Sequence, residues 1–164
     1  MSVKKIVNLA VVSAIYVILT LPFASFGFGA IQFRLAEGLN HLGAYHKDYK
    51  WGVILGVFLT NLLFSTDLGI IDLMFGTVHT ALSFLIAEWL FHKIHDEKKR
   101  LVVLTLVFSV MIFIIALELM WVLKLPFWGT YFTLFLSEII IMALTAPIMH
   151  LANKRIHFKQ LMEH

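Results

Sequence analysis

The stretch Ile31-Gln32-Phe33-Arg34-Leu35-Ala36-Glu37-Gly38-Leu39-Asn40-His41-Leu42 sets polar and ionisable side chains among long apolar runs. Arg34 and Glu37 are three residues apart, so on a helix they share a face and can pair. A charged side chain at membrane depth is costly, and it faces a protein interior or a wet cavity rather than lipid. The stretch therefore reads as a transmembrane helix of a small bundle and as one wall of a ligand site.

Composition puts the rest of the chain in a membrane too. The 164 residues are 60% hydrophobic and 14% charged, with a mean hydropathy of +0.90. Soluble domains run at about 45–50% apolar and roughly 25% charged. The length suits one domain, 1–164. There is no Cys, which excludes disulfide and thiolate chemistry. The pI of 9.2 does not point to nucleic acid, because the basic residues follow the turns between apolar runs.

Those runs predict helices at 6–22, 30–45, 51–64, 76–94, 101–123 and 130–151. The first is not a signal peptide, since equally apolar runs follow it. A spanning helix needs about 20 residues, and two of these are short, so charge must decide the count. With six spans, the cytoplasmic segments hold Lys4, Lys5, Lys47, Lys50, Lys93, Lys98, Lys99, Arg100, Lys154, Arg155 and Lys159. Of the 13 Lys and Arg, only Arg34 and Lys124 fall elsewhere. Removing the second span flips everything after it and leaves only Lys4, Lys5 and Lys124 inside, against the positive-inside rule. The expected fold is an all-α bundle of six transmembrane helices with both termini cytoplasmic.

This orientation gives the polar groups a depth. Gln32, Arg34, Glu37, Asn61, His79, Glu118 and Glu138 all fall in the outer halves of their helices, and Asp67 and Asp72 in an outer loop. The inner halves carry few such groups, namely Asn40, His41 and Glu88. Convergent polar groups in an apolar bundle are the usual form of a small-molecule site. Each residue alone has a plainer reading. Arg34 with Glu37 is then a structural ion pair, Asn61 an interhelical hydrogen bond, and His79 a satisfied bundle histidine. Trp128 and Tyr131 suit an outer aromatic belt. Glu88 and His92 lie near the inner interface and are discounted. As a set at one depth, the outer groups favour a site. No catalytic residue, metal or cofactor is expected: of the His residues only His79 is at the cluster, and metal sites want several ligands together. No G-x-x-x-x-G-K-[ST] loop is present, so the chain does not hydrolyse ATP by that route.

Three stretches carry a resemblance. Ile31 to Leu39 looks like I-Q-F-R-x-[SA]-E-x-L, and Leu68-Gly69-Ile70-Ile71-Asp72-Leu73-Met74-Phe75-Gly76-Thr77 like L-G-x-x-D-x-x-F-G-[ST]. Ala10-Val11-Val12-Ser13-Ala14 matches A-x-x-x-A. The chain resembles the QueT family, membrane substrate-binding (S) components of energy-coupling-factor (ECF) transporters. His79 departs from the family pattern, which has a small or apolar residue there. The resemblance implies a multi-pass protein of the bacterial cell membrane that captures a queuosine precursor on the outer face. The substrate would be a 7-deazaguanine such as preQ1 or preQ0. The implied partners are a transmembrane coupling subunit, docked at Ala10 and Ala14, and two cytoplasmic ATPase subunits.

The residues agree with such a ligand. A guanine-like edge offers adjacent N–H donors that a carboxylate accepts together, and an aminomethyl cation asks for a second carboxylate. Glu37, Asp72 and Glu138 are the expected direct contacts, with Arg34 holding Glu37. Gln32, His79, Glu118 and Asn61 complete the cluster, and Phe23, Phe26, Phe28, Trp128 and Tyr131 are candidates to stack on the ring. Three rivals remain open: an S component for another vitamin-like substrate, an ion-coupled transporter relaying protons through His79, Glu118 and Glu138, and an intramembrane metal enzyme.

Overall fold

The computed structural model describes residues 2–23, 34–65 and 68–163. Among these described residues seven α-helices follow in order: α1 (Val3–Thr20), α2 (Tyr49–Phe64), α3 (Ile70–Phe91), α4 (Glu97–Met111), α5 (Phe113–Leu123), α6 (Phe127–Ile156) and α7 (Phe158–Glu163). Two 3-10 segments, Leu21–Phe23 and Leu35–Ala44, lie between α1 and α2. Among the described residues, four stretches are long and apolar enough to cross a membrane: Val3–Thr20, Ile70–Phe91, Glu97–Leu123 and Phe127–Ile156. The chain is an all-α, multi-pass membrane protein. Large apolar side chains cover its outside, among them Val3, Ile18, Leu62, Trp89 and Ile148, as a lipid-facing surface requires.

The second expected helix, 30–45, takes a different form over its described part. Leu35–Ala44 is a 3-10 helix, with about three residues and a rise of about 2.0 Å per residue in each tighter turn. Of its ten residues only Leu35 is exposed, and eight are buried. Small residues let neighbours close on this narrow rod. A Cβ at Gly38 would lie 2.7 Å from Thr145, and one at Gly43 2.6 Å from Phe84. His41, fully buried, reaches the Met142 carbonyl at 2.9 Å. The rod is thus clasped by α1, α4 and α6 on several sides.

The α1–α2 contact depends on the same device. Gly52 and Gly56 are one turn apart, and a Cβ would come within 2.9 Å of the Leu9 carbonyl oxygen at Gly52 and 2.6 Å of Tyr16 Cβ at Gly56. Ser13 Oγ donates to the Gly52 carbonyl at 2.6 Å. Close backbone approach is what holds helices together where both already sit in apolar surroundings. The face of α1 that does this carries Leu9, Val12, Ser13 and Tyr16. Ala10 and Ala14 are on another face and are exposed.

Other boundaries also move. The expected outer loop 65–75 becomes helix from Ile70 onward, so Asp72 stands in the first turn of α3. Gly69 makes that entry with φ +57°, a conformation that favours glycine. The expected helix 101–123 is interrupted at Ile112, between α4 and α5. The last helix runs longer, to Ile156, and His157 then turns the chain so that α7 packs back on α1, with Asn8 donating to the Leu161 carbonyl at 2.8 Å. Two apolar cores result. One gathers Tyr16, Phe84, Leu104, Phe108 and Met142, and the other Ile112, Ile115, Leu119 and Leu134.

Candidate functional site

A polar cavity lies where the two cores meet. Arg34, Glu37, His79, Thr80 and Glu138 supply its polar lining, and Ile112, Ile115, Leu134 and Gly76 the rest. The cavity measures about 10 Å³, room for roughly one water molecule. Four elements converge on it: the 3-10 helix, α3, the α4–α5 break and α6.

Glu37 is the best-held group. Its Oε1 accepts from the Tyr16 hydroxyl at 2.7 Å, and its Oε2 from the Asn40 amide at 2.6 Å. A carboxylate has about four lone-pair sites, so capacity remains toward the cavity. In the 3-10 helix residues i and i+3 eclipse, which lines Asn40 up behind Glu37. Arg34 was expected to hold Glu37; among the described residues it makes an ion pair with Asp72 instead, Nη2 to Oδ1 at 3.9 Å. Asp72 is completely buried. Its carbonyl accepts from the Asn61 amide at 3.0 Å, and a Cβ on Gly76 would run into that same amide. The two buried motif segments are therefore locked to each other through Arg34 and Asp72.

The carboxylates outnumber the cations. Glu37, Asp72, Glu118 and Glu138 are all buried, and Arg34 is the one Lys or Arg buried with them among the described residues. Both oxygens of Asp72 and of Glu118, and Oε1 of Glu138, have no hydrogen-bond partner among the described residues. Structural polar groups in a membrane interior are normally satisfied, and those that are not mark pathways and binding sites. His79 also lines the cavity, but it has a partner there: its Nε2 lies 3.4 Å from the Phe108 carbonyl.

The structure thus brings together Arg34, Glu37, His79 and Glu138, places Asp72 and Asn61 directly behind Arg34, and buries Glu118 on α5. It does not bring Trp128 and Tyr131 to the cavity. Trp128 is 77% exposed. Tyr131 stacks on Phe127 at 5.9 Å and donates to the Val110 carbonyl at 3.3 Å. Both fit the aromatic belt. Gln32, Phe26, Phe28 and Asp67 lie outside the described residues. Tyr16, Asn40 and Thr80 join the site without having been expected there. Among the described residues, no three His, Cys, Asp or Glu are grouped to hold a metal ion.

Known proteins are similar to this chain. A family model described as QueT transporter matches residues 6–154. The queuosine precursor transporter QueT of Lactococcus lactis subsp. cremoris (strain MG1363) is 32% identical over 160 residues, covering 92% of this chain and 93% of that one. No solved structure matches.

Proposed function

Because the chain belongs to the QueT family, we propose that it is the substrate-binding membrane subunit of an ECF transporter and captures a queuosine precursor. The observation that carries this reading is the convergence of Glu37, Glu138, Arg34 and His79 on one buried cavity. A 7-deazaguanine presents adjacent N–H donors to a carboxylate, and Glu37, fixed by Tyr16 and Asn40, is oriented to accept them. An aminomethyl substituent, as in preQ1, adds a cation that the surplus of buried carboxylates favours. A bicyclic base exceeds the 10 Å³ present, so binding parts the walls. Titrating preQ1, preQ0 and queuine against the detergent-purified protein, followed by tryptophan fluorescence, should give saturable binding for at least one. Binding of none of the three would overturn the assignment.

The proposal includes a single membrane domain with six crossings and both termini in the cytoplasm of a bacterial cell. The 3-10 helix and α2 supply the two short crossings. Contacts gather the basic segments at one end, with Lys5 on Asp48 at 3.0 Å, His150 on Glu97 at 2.9 Å and Asn8 on Leu161 at 2.8 Å. A Cys placed at Lys99, on this Cys-free background, should react with a membrane-impermeant maleimide only from the inside. Labelling of intact cells at that position would refute the topology. Uptake would then be driven by two cytoplasmic ATPases acting through a transmembrane coupling subunit, which docks on α1 at Ala10 and Ala14.

A further inference from the structure

The end of the bundle away from the polar site holds a second, larger cavity. It measures about 540 Å³ and is lined by His46, Lys47, Glu88, His92 and Arg100, with apolar Phe91 behind them. Its charges are unequal. Glu88 is met by Lys50 at 2.7 Å. Lys47 and Arg100 form no ion pair among the described residues. Arg100 is pinned nonetheless: its Nε donates to the Ile94 carbonyl at 2.8 Å, one Nη to the Ala44 carbonyl at 3.4 Å, and its guanidinium lies 5.1 Å from the centre of the Phe91 ring. His46 Nδ1 accepts from the Asp48 backbone N–H at 3.2 Å, so its neutral ring carries the proton on Nε2 and offers a donor. Two cations without an ion pair among the described residues, and a donor, set around a cavity are the chemistry of a phosphate seat, even with the Asp48 carboxylate 3.8 Å from His46 Nδ1.

A neighbouring cavity says what kind of phosphate. It measures about 450 Å³, shares His92 with the first, and is otherwise lined by Trp89, Leu90, Lys93 and Ile94, mostly through apolar surface. Trp89 and Trp51 are both largely exposed at this level, where indoles favour the membrane–water boundary. We propose that the paired cavities hold an anionic phospholipid, with the headgroup phosphate between Lys47, Arg100 and His46 and the start of an acyl chain along Trp89 and Ile94. A free phosphate needs only the first cavity.

The test uses the full chain in detergent and reads bound lipid by native mass spectrometry, so it is independent of the transported ligand. Dioleoylphosphatidylglycerol should be retained about fivefold or more over dioleoylphosphatidylcholine, a basic side chain near an anionic lipid surface being worth about that factor. Lys47→Gln, which breaks no side-chain hydrogen bond or ion pair among the described residues, should lower retention by a similar factor. Arg100→Gln should do the same in protein that still folds, and Lys124→Gln at the other end should not. Equal retention of the two lipids, or retention unchanged by Lys47→Gln, overturns the proposal. So does inorganic phosphate binding without phosphatidylglycerol. Loss of subunit assembly in Lys47→Gln with unchanged lipid retention overturns it in favour of an acidic protein partner.

Discussion

Glu37→Gln should bind a 7-deazaguanine at least tenfold more weakly than the wild-type chain while melting at nearly the same temperature. The substitution keeps the shape and removes the charge. Tyr16 can still donate to the remaining amide oxygen. Asn40 can flip its amide, because its Oδ1 has no partner among the described residues and would accept from the new Gln N–H. The local fold therefore survives. The ligand, by contrast, loses one acceptor for its paired N–H groups and meets a donor instead. A hydrogen bond to a charged group is worth about 1.5–3 kcal/mol, and about 1.4 kcal/mol is a factor of ten. Isothermal titration of the two proteins measures the ratio. Asp72→Asn and Glu138→Gln extend the test, and if all three variants bind as tightly as wild type the cavity is not the ligand site.

The polar residues that line this cavity were legible in the sequence to the extent that depth could be counted. Arg34, Glu37, His79 and Glu138 are polar letters in apolar text, and their positions along successive runs put them at one level. Tyr16 was not legible, because a tyrosine in an apolar run looks like core or belt. Only the approach of α1 to the 3-10 helix turns its hydroxyl onto Glu37. Asn40 was read as an inner-half residue, and the eclipsed spacing of a 3-10 helix is what lines it up behind Glu37. That helix was itself hidden: over ten residues, periods of 3.0 and 3.6 drift apart by less than one turn. The small residues Ala36, Gly38, Gly43 and Ala44 were the available clue, since they permit a narrow rod clasped from several sides. Trp128 and Tyr131 failed for the opposite reason. Depth selects a level but not a face, and both side chains turn away from the cavity.

The same distinction between faces makes Ala14→Trp the most informative single change in α1. It should abolish ATP-driven uptake of the precursor and leave its affinity for the isolated protein within about twofold of wild type. Two small residues one turn apart have two possible uses: to let a helix of the same chain come close, or to let a partner do so. The first use is already taken elsewhere on α1. The inward face meets Gly52 and Gly56 of α2 through Leu9, Ser13 and Tyr16, with the small residues supplied by α2. Ala10 and Ala14 are exposed beside Val7, Val11 and Ile18. An indole there extends into lipid when the subunit is alone, so neither the fold nor the Tyr16–Glu37 contact on the other face is disturbed. Against a partner helix the same indole holds the backbones apart, and close packing is the main attraction available between helices in lipid. Co-purification with the coupling subunit, reconstituted uptake and ligand titration separate the outcomes. Lost assembly and uptake with normal affinity identify a docking face. Damage to affinity and melting together would mean that this face packs within the chain, and full uptake with normal assembly would place docking elsewhere on the bundle.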